Sequence, residues 1–193
     1  MDEIFDIVDA YGRPTGRTVE RSRAHAEGIR HRTAHIWLIR KEEGRDQILL
    51  QERSRHKDSF PGCLDTSSAG HIQAGDEPLP SALRELSEEL GLKAQAEDLV
   101  FLENFTAQYE KVFYGRPFKD HEVVYVYAYE KPVALSDLLI QKEELEGVGW
   151  YDLEETLQRV SEHDPRYCVP YEGLQIVKRY LERKKSGETA ADR

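Results

Sequence analysis

Apolar and polar positions along this chain follow two periods. Residues 3–9 (EIFDIVD) alternate as a strand does, and residues 36–39, 47–52 (QILLQE), 99–105 (LVFLENF) and 121–130 (HEVVYVYAYE) read as further strands. A turn cluster at residues 11–16 (YGRPTG) precedes a short return strand at Thr18-Val19, and residues 42–46 turn the second of these strands into the third. Residues 147–151 read as a further short strand, and residues 63–70 (CLDTSSAG) as a strand ending in small residues. The other period is helical. Leu79, Leu83, Leu86 and Leu90 fall on one side at about 100° per residue. Pro78 and Pro80 fit only a first turn, and Gly91 stands where helices commonly end. Asp152 caps a helix over 153–161, and Pro170 opens a last one to about residue 184, with Leu174, Val177, Tyr180 and Leu181 at helical spacing. Residues 106–119 form a loop or hairpin rich in Tyr and Phe, and residues 135–146 are polar and irregular. The order predicts an α+β domain over 1–185, with residues 186–193 as a flexible C-terminal tail.

The first helix carries an unusual second face. Glu85, Glu88 and Glu89 lie within roughly 100° of one another, nearly opposite the leucines. Glu85 and Glu89 are like charges one turn apart, and Glu88 and Glu89 sit in the last turn, where the dipole favours cations. Arg84 is the one basic neighbour, four residues before Glu88. A hard divalent cation with oxygen ligands would relieve this arrangement. The plainer alternative is a solvated acidic face.

Charge and composition narrow the partners. The formal charge of −10 argues against nonspecific attraction to nucleic acid or anionic membrane. An anionic substrate would therefore need local help from a metal or from clustered Arg and Lys. No apolar run approaches the roughly 20 residues that span a bilayer, and the acidic opening Met1-Asp2-Glu3 is no secretory signal. The two cysteines, Cys63 and Cys168, read as reduced thiols of a cytoplasmic protein. Residues 23–35 hold His25, His31 and His35, which either bind a metal or pack and hydrogen-bond. Residues 51–58 (QERSRHKD) carry Arg53, Arg55 and Lys57 and lead directly into Phe60-Pro61-Gly62. Arg53 and Lys57 are the candidates to bind phosphate oxygens, and a solvated basic loop is the alternative.

Gly70, Asp76 and then Arg84-Glu85-Leu86-Ser87-Glu88-Glu89-Leu90-Gly91-Leu92 resemble the Nudix box over residues 70–92. That pattern is Gly-x5-Glu-x7-Arg-Glu-U-x-Glu-Glu-x-Gly-U, with U a bulky aliphatic. One position departs: Asp76 stands where the box has Glu, with Glu77 beside it. The resemblance implies the Nudix fold, a mixed β-sheet sandwiched between helices. It also implies Mg²⁺ or Mn²⁺ as cofactor, held by Glu85, Glu88 and Glu89, with the backbone carbonyl of Ala69 often joining the shell.

A longer resemblance covers most of the first 130 residues. The opening DIVDAYGRPTG, the His25 to His31 segment, the Trp37 strand, Arg53, Lys57, Phe60-Pro61-Gly62 and Ala69-Gly70-His71 are similar to the isopentenyl-diphosphate isomerase branch of the Nudix superfamily. That enzyme has a proton-transferring Cys before the Gly-His pair and a degenerate box helix. This chain has Ala69 and a nearly intact box. The branch also implies a metal held at positions that fall here on His25, His31, His71, Asp120 and Glu122, although the His25 to His31 spacing is one residue shorter than in that branch.

These observations predict a Mg²⁺- or Mn²⁺-dependent hydrolase that cleaves a pyrophosphate bond in a nucleoside diphosphate derivative or related X-diphosphate. The expected catalytic residues are Glu85, Glu88, Glu89, Arg84 and Glu122. Metal ligands are Glu85, Glu88, Glu89 and Glu122. Arg84 orients the carboxylates, against Asp76, and Glu122 is a further ligand or a general base, ahead of Asp120. Alternatives are an isopentenyl-diphosphate delta-isomerase-like enzyme, against which the missing Cys counts, and a noncatalytic diphosphate-binding module. Specificity should lie in residues 106–119 and 160–172, where Tyr109, Phe113, Tyr114 and Tyr167 either stack on a base or fill core. A homodimer is the commonest soluble assembly.

Overall fold

Residues 31–39 are all buried, a pattern that requires cover on both faces of the strand that carries them. The structure, a computed structural model, describes residues 3–187 and supplies that cover. The strand is β3 (His31–Glu42). Before it come β1 (Ile4–Val8) and β2 (Pro14–Glu20), which pair antiparallel with each other, and the short helix α1 (Arg21–Glu27). After it come β4 (Arg45–Arg53), β5 (Leu64–Asp65), β6 (Ser68–His71) and helix α2 (Pro78–Leu90). Then follow β7 (Leu99–Phe113), β8 (Arg116–Tyr129), β9 (Leu145–Asp152), α3 (Leu153–Ser161) and α4 (Tyr171–Ser186). The main sheet runs β5-β4-β3-β8-β7, with β6 also paired to β3 and β9 to β4. It is mixed, because β3 and β8 are parallel while their other pairings are antiparallel.

Two apolar layers explain the sandwich. Ala34, Ile36 and Leu38 point to one face and pack with Ala82, Leu86 and Leu90 of α2. Trp37 and Ile39 point to the other and pack with Leu153 and Leu157 of α3 and Leu174, Ile176 and Val177 of α4. The pleat's period of two thus feeds both layers from one strand, and each fully buried aliphatic contributes about 1.5–3 kcal/mol. The chain is α+β, as its pattern predicted.

Several expectations change. Residues 63–70 are two strands, because the chain leaves β4 and joins β3: Asp65 pairs with Gln51 and Ser68 with Ile36. Ser67 fills the gap between β3 and β4, donating to the Leu49 carbonyl (2.6 Å) and accepting from the Leu38 N–H (2.9 Å). Residues 106–119, expected as a loop or hairpin, are the outer half of the β7–β8 hairpin. Helix α1 had no expectation, being seven residues without a side-chain cap or an acid in its first turn. Within 135–146, residues 135–137 make one 3-10 turn and Leu145 starts β9. Ser186, placed in the tail, ends α4, and Gly187 caps it; residues 188–193 lie outside the described residues. Among the described residues, no helix is long and apolar enough to cross a membrane.

Candidate active site

The box helix α2 lies across β6, and Gly70 is where they touch. A Cβ there would stand 2.0 Å from Glu85 Cδ and 2.3 Å from its Oε2. Only glycine lets the Glu85 carboxylate rest against that backbone. One turn on, Glu89 is 5% exposed and its Oε2 accepts from the Ala69 N–H (3.0 Å). Burial raises the Glu89 carboxyl to about 8, with the Glu85 charge adding to it. Burial likewise lifts Glu85 to about 7. Glu88 is exposed. Arg84 holds the row: Nη1 lies 2.8 Å from Glu85 Oε1 and 3.2 Å from Glu88 Oε2, and Nη2 donates to the His71 carbonyl (3.1 Å). The predicted brace from Arg84 to Asp76 is not formed, since the guanidinium is already engaged by these three groups. Arg32 takes the other side of that loop, donating to the Asp76 carbonyl and to Asp6 (3.0 Å each).

Strand register assembles a second cluster beside the first. His31 opens β3 directly opposite Glu122 of β8, and His71 ends β6 opposite Thr33 of β3. Helix α1 turns His25 inward. His25 Nε2 lies 3.3 Å from His71 Nε2, and His25 Nδ1 3.5 Å from Asp120 Oδ1. His31 Nε2 and His71 Nε2 are each 3.7 Å from Glu122 Oε1. The ligand atoms of His25, His31 and His71 lie within 4.8 Å of one another, as do those of His31, Asp120 and Glu122. Among the described residues, Glu85, Glu88 and Glu89 do not form such a group of three, so Glu122 gathers with histidines rather than with the helix carboxylates. His31 Nδ1 lies 2.8 Å from the Ile29 carbonyl, which orients the ring so that Nε2 faces Glu122.

The donor set suits a divalent metal. His25 Nδ1, His31 Nε2 and Asp120 Oδ1 are buried without hydrogen-bond partners, a costly state that a cation would relieve. Burial lowers His71 well below the imidazole range, leaving it neutral, as a ligand must be. Burial works against ionising Glu122, yet the His31 imidazole opposite it outweighs that and holds the carboxyl low. Asp120 is pushed up by burial and by Glu122. Thr33 Oγ1 donates to Glu122 Oε2 (3.1 Å), a contact no sequence signal indicated.

Both clusters, His31 apart, line one cavity of about 310 Å³. Arg53 and Lys57 reach it too, but neither is free. Arg53 Nη1 donates to Asp65 (3.0 Å), and its Nε and Nη2 donate to the Ser59 carbonyl. Lys57 pairs with Glu144. Arg21, which sequence reasoning passed over, lines the same wall, paired with Glu3 (3.4 Å) and Asp58 (2.9 Å). It lies on an unpredicted helix, so nothing in the pattern aimed it inward.

A family model described as NUDIX domain matches residues 29–170, most of the chain and nearly all of this site. The chain belongs to the Nudix family. Nudix hydrolase 3 of Arabidopsis thaliana is 41% identical over 175 residues, covering 89% of this chain but 22% of that protein's length. The isopentenyl-diphosphate Delta-isomerase of Roseobacter denitrificans is 27% identical over 161 residues, covering 83% of this chain and 86% of that one. DR0079 of Deinococcus radiodurans, a solved structure, superposes with a TM-score of 0.67 at 19% identity, covering 91% of this chain and 98% of its own. The last likeness speaks to the Nudix fold alone.

Proposed function

We propose that this Nudix domain hydrolyses the pyrophosphate bond of a nucleoside diphosphate derivative or related X-diphosphate with Mg²⁺ or Mn²⁺. The observation that carries the reading is that two helix glutamates, half-buried Glu85 and buried Glu89, open into the same cavity as His25 and Asp120, whose Nδ1 and Oδ1 are buried without hydrogen-bond partners. Glu85, Glu88 and Glu89 would hold one cation, and His25, His31, His71, Asp120 and Glu122 a second. A bound divalent ion there neutralises phosphate charge and lowers the pKa of a water.

The chain's own groups then have separate tasks. Arg84 fixes Glu85 and Glu88 and ties the helix to the His71 carbonyl. Glu122, held ionised by His31 opposite it, is a proton acceptor or a ligand. Lys57 can leave Glu144 for a phosphate oxygen, and Arg53 shapes the wall through Asp65 and Ser59 while facing the same phosphates. At position 69, where the isomerase branch carries its Cys, this chain has only a methyl group, and the Ala69 N–H is taken by Glu89. Proton transfer to an alkene has no thiol there.

The test is a product-release screen with Mg²⁺ and with Mn²⁺ over nucleoside diphosphate derivatives, dinucleoside polyphosphates, coenzyme A and prenyl diphosphates. Isopentenyl diphosphate is followed for isomerisation as well as hydrolysis. Phosphate-bond cleavage that stops with EDTA supports the reading. Isomerisation without cleavage, or binding without turnover, would replace it with the isomerase or the noncatalytic module.

A further inference from the structure

The β7–β8 hairpin ends in a tight turn, Tyr114-Gly115, with φ of +50° and +75°. Its last pair is Phe113 opposite Arg116. Residues directly opposite share a face, and so do alternate residues along a strand. Arg116, Phe118 and Asp120 therefore follow one another on one face of β8, with Phe113, Lys111 and Tyr109 across from them on β7. From Arg116 to the metal-site residue Asp120 is four residues, about 13 Å at the strand rise.

This face borders a second cavity, of about 600 Å³, lined in part by Phe113, Tyr114, Arg116, Pro117 and Phe118. It meets the first cavity at Arg21, His25 and Phe118, which line both. Phe118 is the partition, stacked on His25 at 4.4 Å and 17°. The remaining cations nearby are engaged. Arg21 pairs with Asp58 (2.9 Å), and the Lys111 Nζ lies 4.5 Å from the centre of the Phe60 ring. Arg116 has no ion pair or side-chain hydrogen bond among the described residues.

We propose that this second cavity seats the nucleobase of the substrate, stacked against Phe113 or Phe118, with Arg116 binding its acceptor edge. Ring faces and a guanidinium suit a planar heterocycle, which offers a π-face and carbonyl or ring-nitrogen acceptors. A branched aliphatic chain could use the rings but offers Arg116 nothing. Arg116 is exposed and stays hydrated beside such a ligand, so an aliphatic chain gains nothing from it, whereas a base gains a hydrogen bond. The roughly 13 Å from Arg116 to Asp120 along the strand is a span that a base with its sugar can bridge from phosphates held at the metal residues. The inference rests on the diphosphatase reading and narrows its substrate to nucleotides.

The test uses equilibrium binding, which needs no turnover. Titrate the Mg²⁺-loaded chain and its Arg116→Ala variant with AMP, with ribose 5-phosphate and with isopentenyl phosphate. Arg116 is exposed at a turn, so the variant should fold, and circular dichroism checks this. The expected result is that the wild type prefers AMP over ribose 5-phosphate by about tenfold or more, and that Arg116→Ala removes most of that preference. Equal affinity for AMP and ribose 5-phosphate overturns the proposal. So does an Arg116→Ala loss shared equally by all three ligands, or isopentenyl phosphate binding as tightly as AMP. Base-dependent binding in a chain that cleaves no diphosphate would sink the hydrolase reading and leave the base site standing.

Discussion

Replacing Glu89 by Gln should stabilise the metal-free protein while disabling it, and the stabilisation should grow with pH. Glu89 titrates near 8 when folded, against 4.5 for the ordinary carboxyl. Its folded pKa is raised, so the native state binds more protons than the unfolded state between those values, and stability falls as pH rises through the window. Ionising the buried group costs about 5 kcal/mol at the upper end, at roughly 1.36 kcal/mol per unit. Gln cannot ionise, and its amide oxygen can still accept from the Ala69 N–H. Its amide hydrogens are new buried donors, at a cost of about 1–3 kcal/mol. Near pH 5 the native Glu89 is mostly protonated, so only the amide cost shows and the variant should be slightly less stable. Near pH 8 or above, the variant should be more stable by about 2–3 kcal/mol. Neutralising position 89 also removes its repulsion with Glu85, which acts in the same direction. The assay is urea unfolding in EDTA at several pH values, repeated with saturating Mn²⁺. Bound cation should favour the wild type and reverse the order. A stability difference that stays flat with pH in EDTA would refute the reasoning.

Glu88→Gln and Glu89→Gln should each lower diphosphate turnover by about 10²-fold or more with the fold retained; unchanged rates in both would remove these residues from their assigned roles. Gly70→Ala should push the flexible end of Glu85 aside rather than unfold the sheet, so divalent-cation affinity drops by about tenfold or more while the melting temperature shifts little. His31→Gln should remove one equivalent of tightly bound Mn²⁺, counted by mass spectrometry of the desalted protein, and leave cation binding at the box glutamates detectable. Asp6→Ala should cost about 3 kcal/mol or more in urea unfolding, because it strands the buried Arg32, whose side chain is 5% exposed.

Much of the site was legible because its chemistry is local. Glu85, Glu88 and Glu89 sit within five residues on one helix, so their proximity and their cost follow from 3.6 residues per turn. Gly91 ends α2 in the left-handed region (φ +66°), as its place in the pattern predicted. Helices α3 and α4 likewise begin at or beside Asp152 and Pro170, the former capping through the Glu155 N–H. The resemblance also named His25, His31, His71, Asp120 and Glu122, but composition alone left each histidine free to be packing.

What the chain alone determined, then, is set by short-range geometry: the apolar runs that make β3 and β8, the leucine stripe of α2, and the acidic row behind it. Tertiary structure decided the rest. Parallel pairing of β3 with β8 puts His31 beside Glu122, which lie 91 positions apart in the sequence. The crossover from β4 to β3 at Ser67 brings Gly70 under Glu85 and His71 toward His25. Arg53 and Lys57 read as free cations in the sequence, and the fold gave them Asp65 and Glu144. Partners of this kind come from strand order and register, which depend on burying both faces of one sheet at once, and no local period encodes that choice.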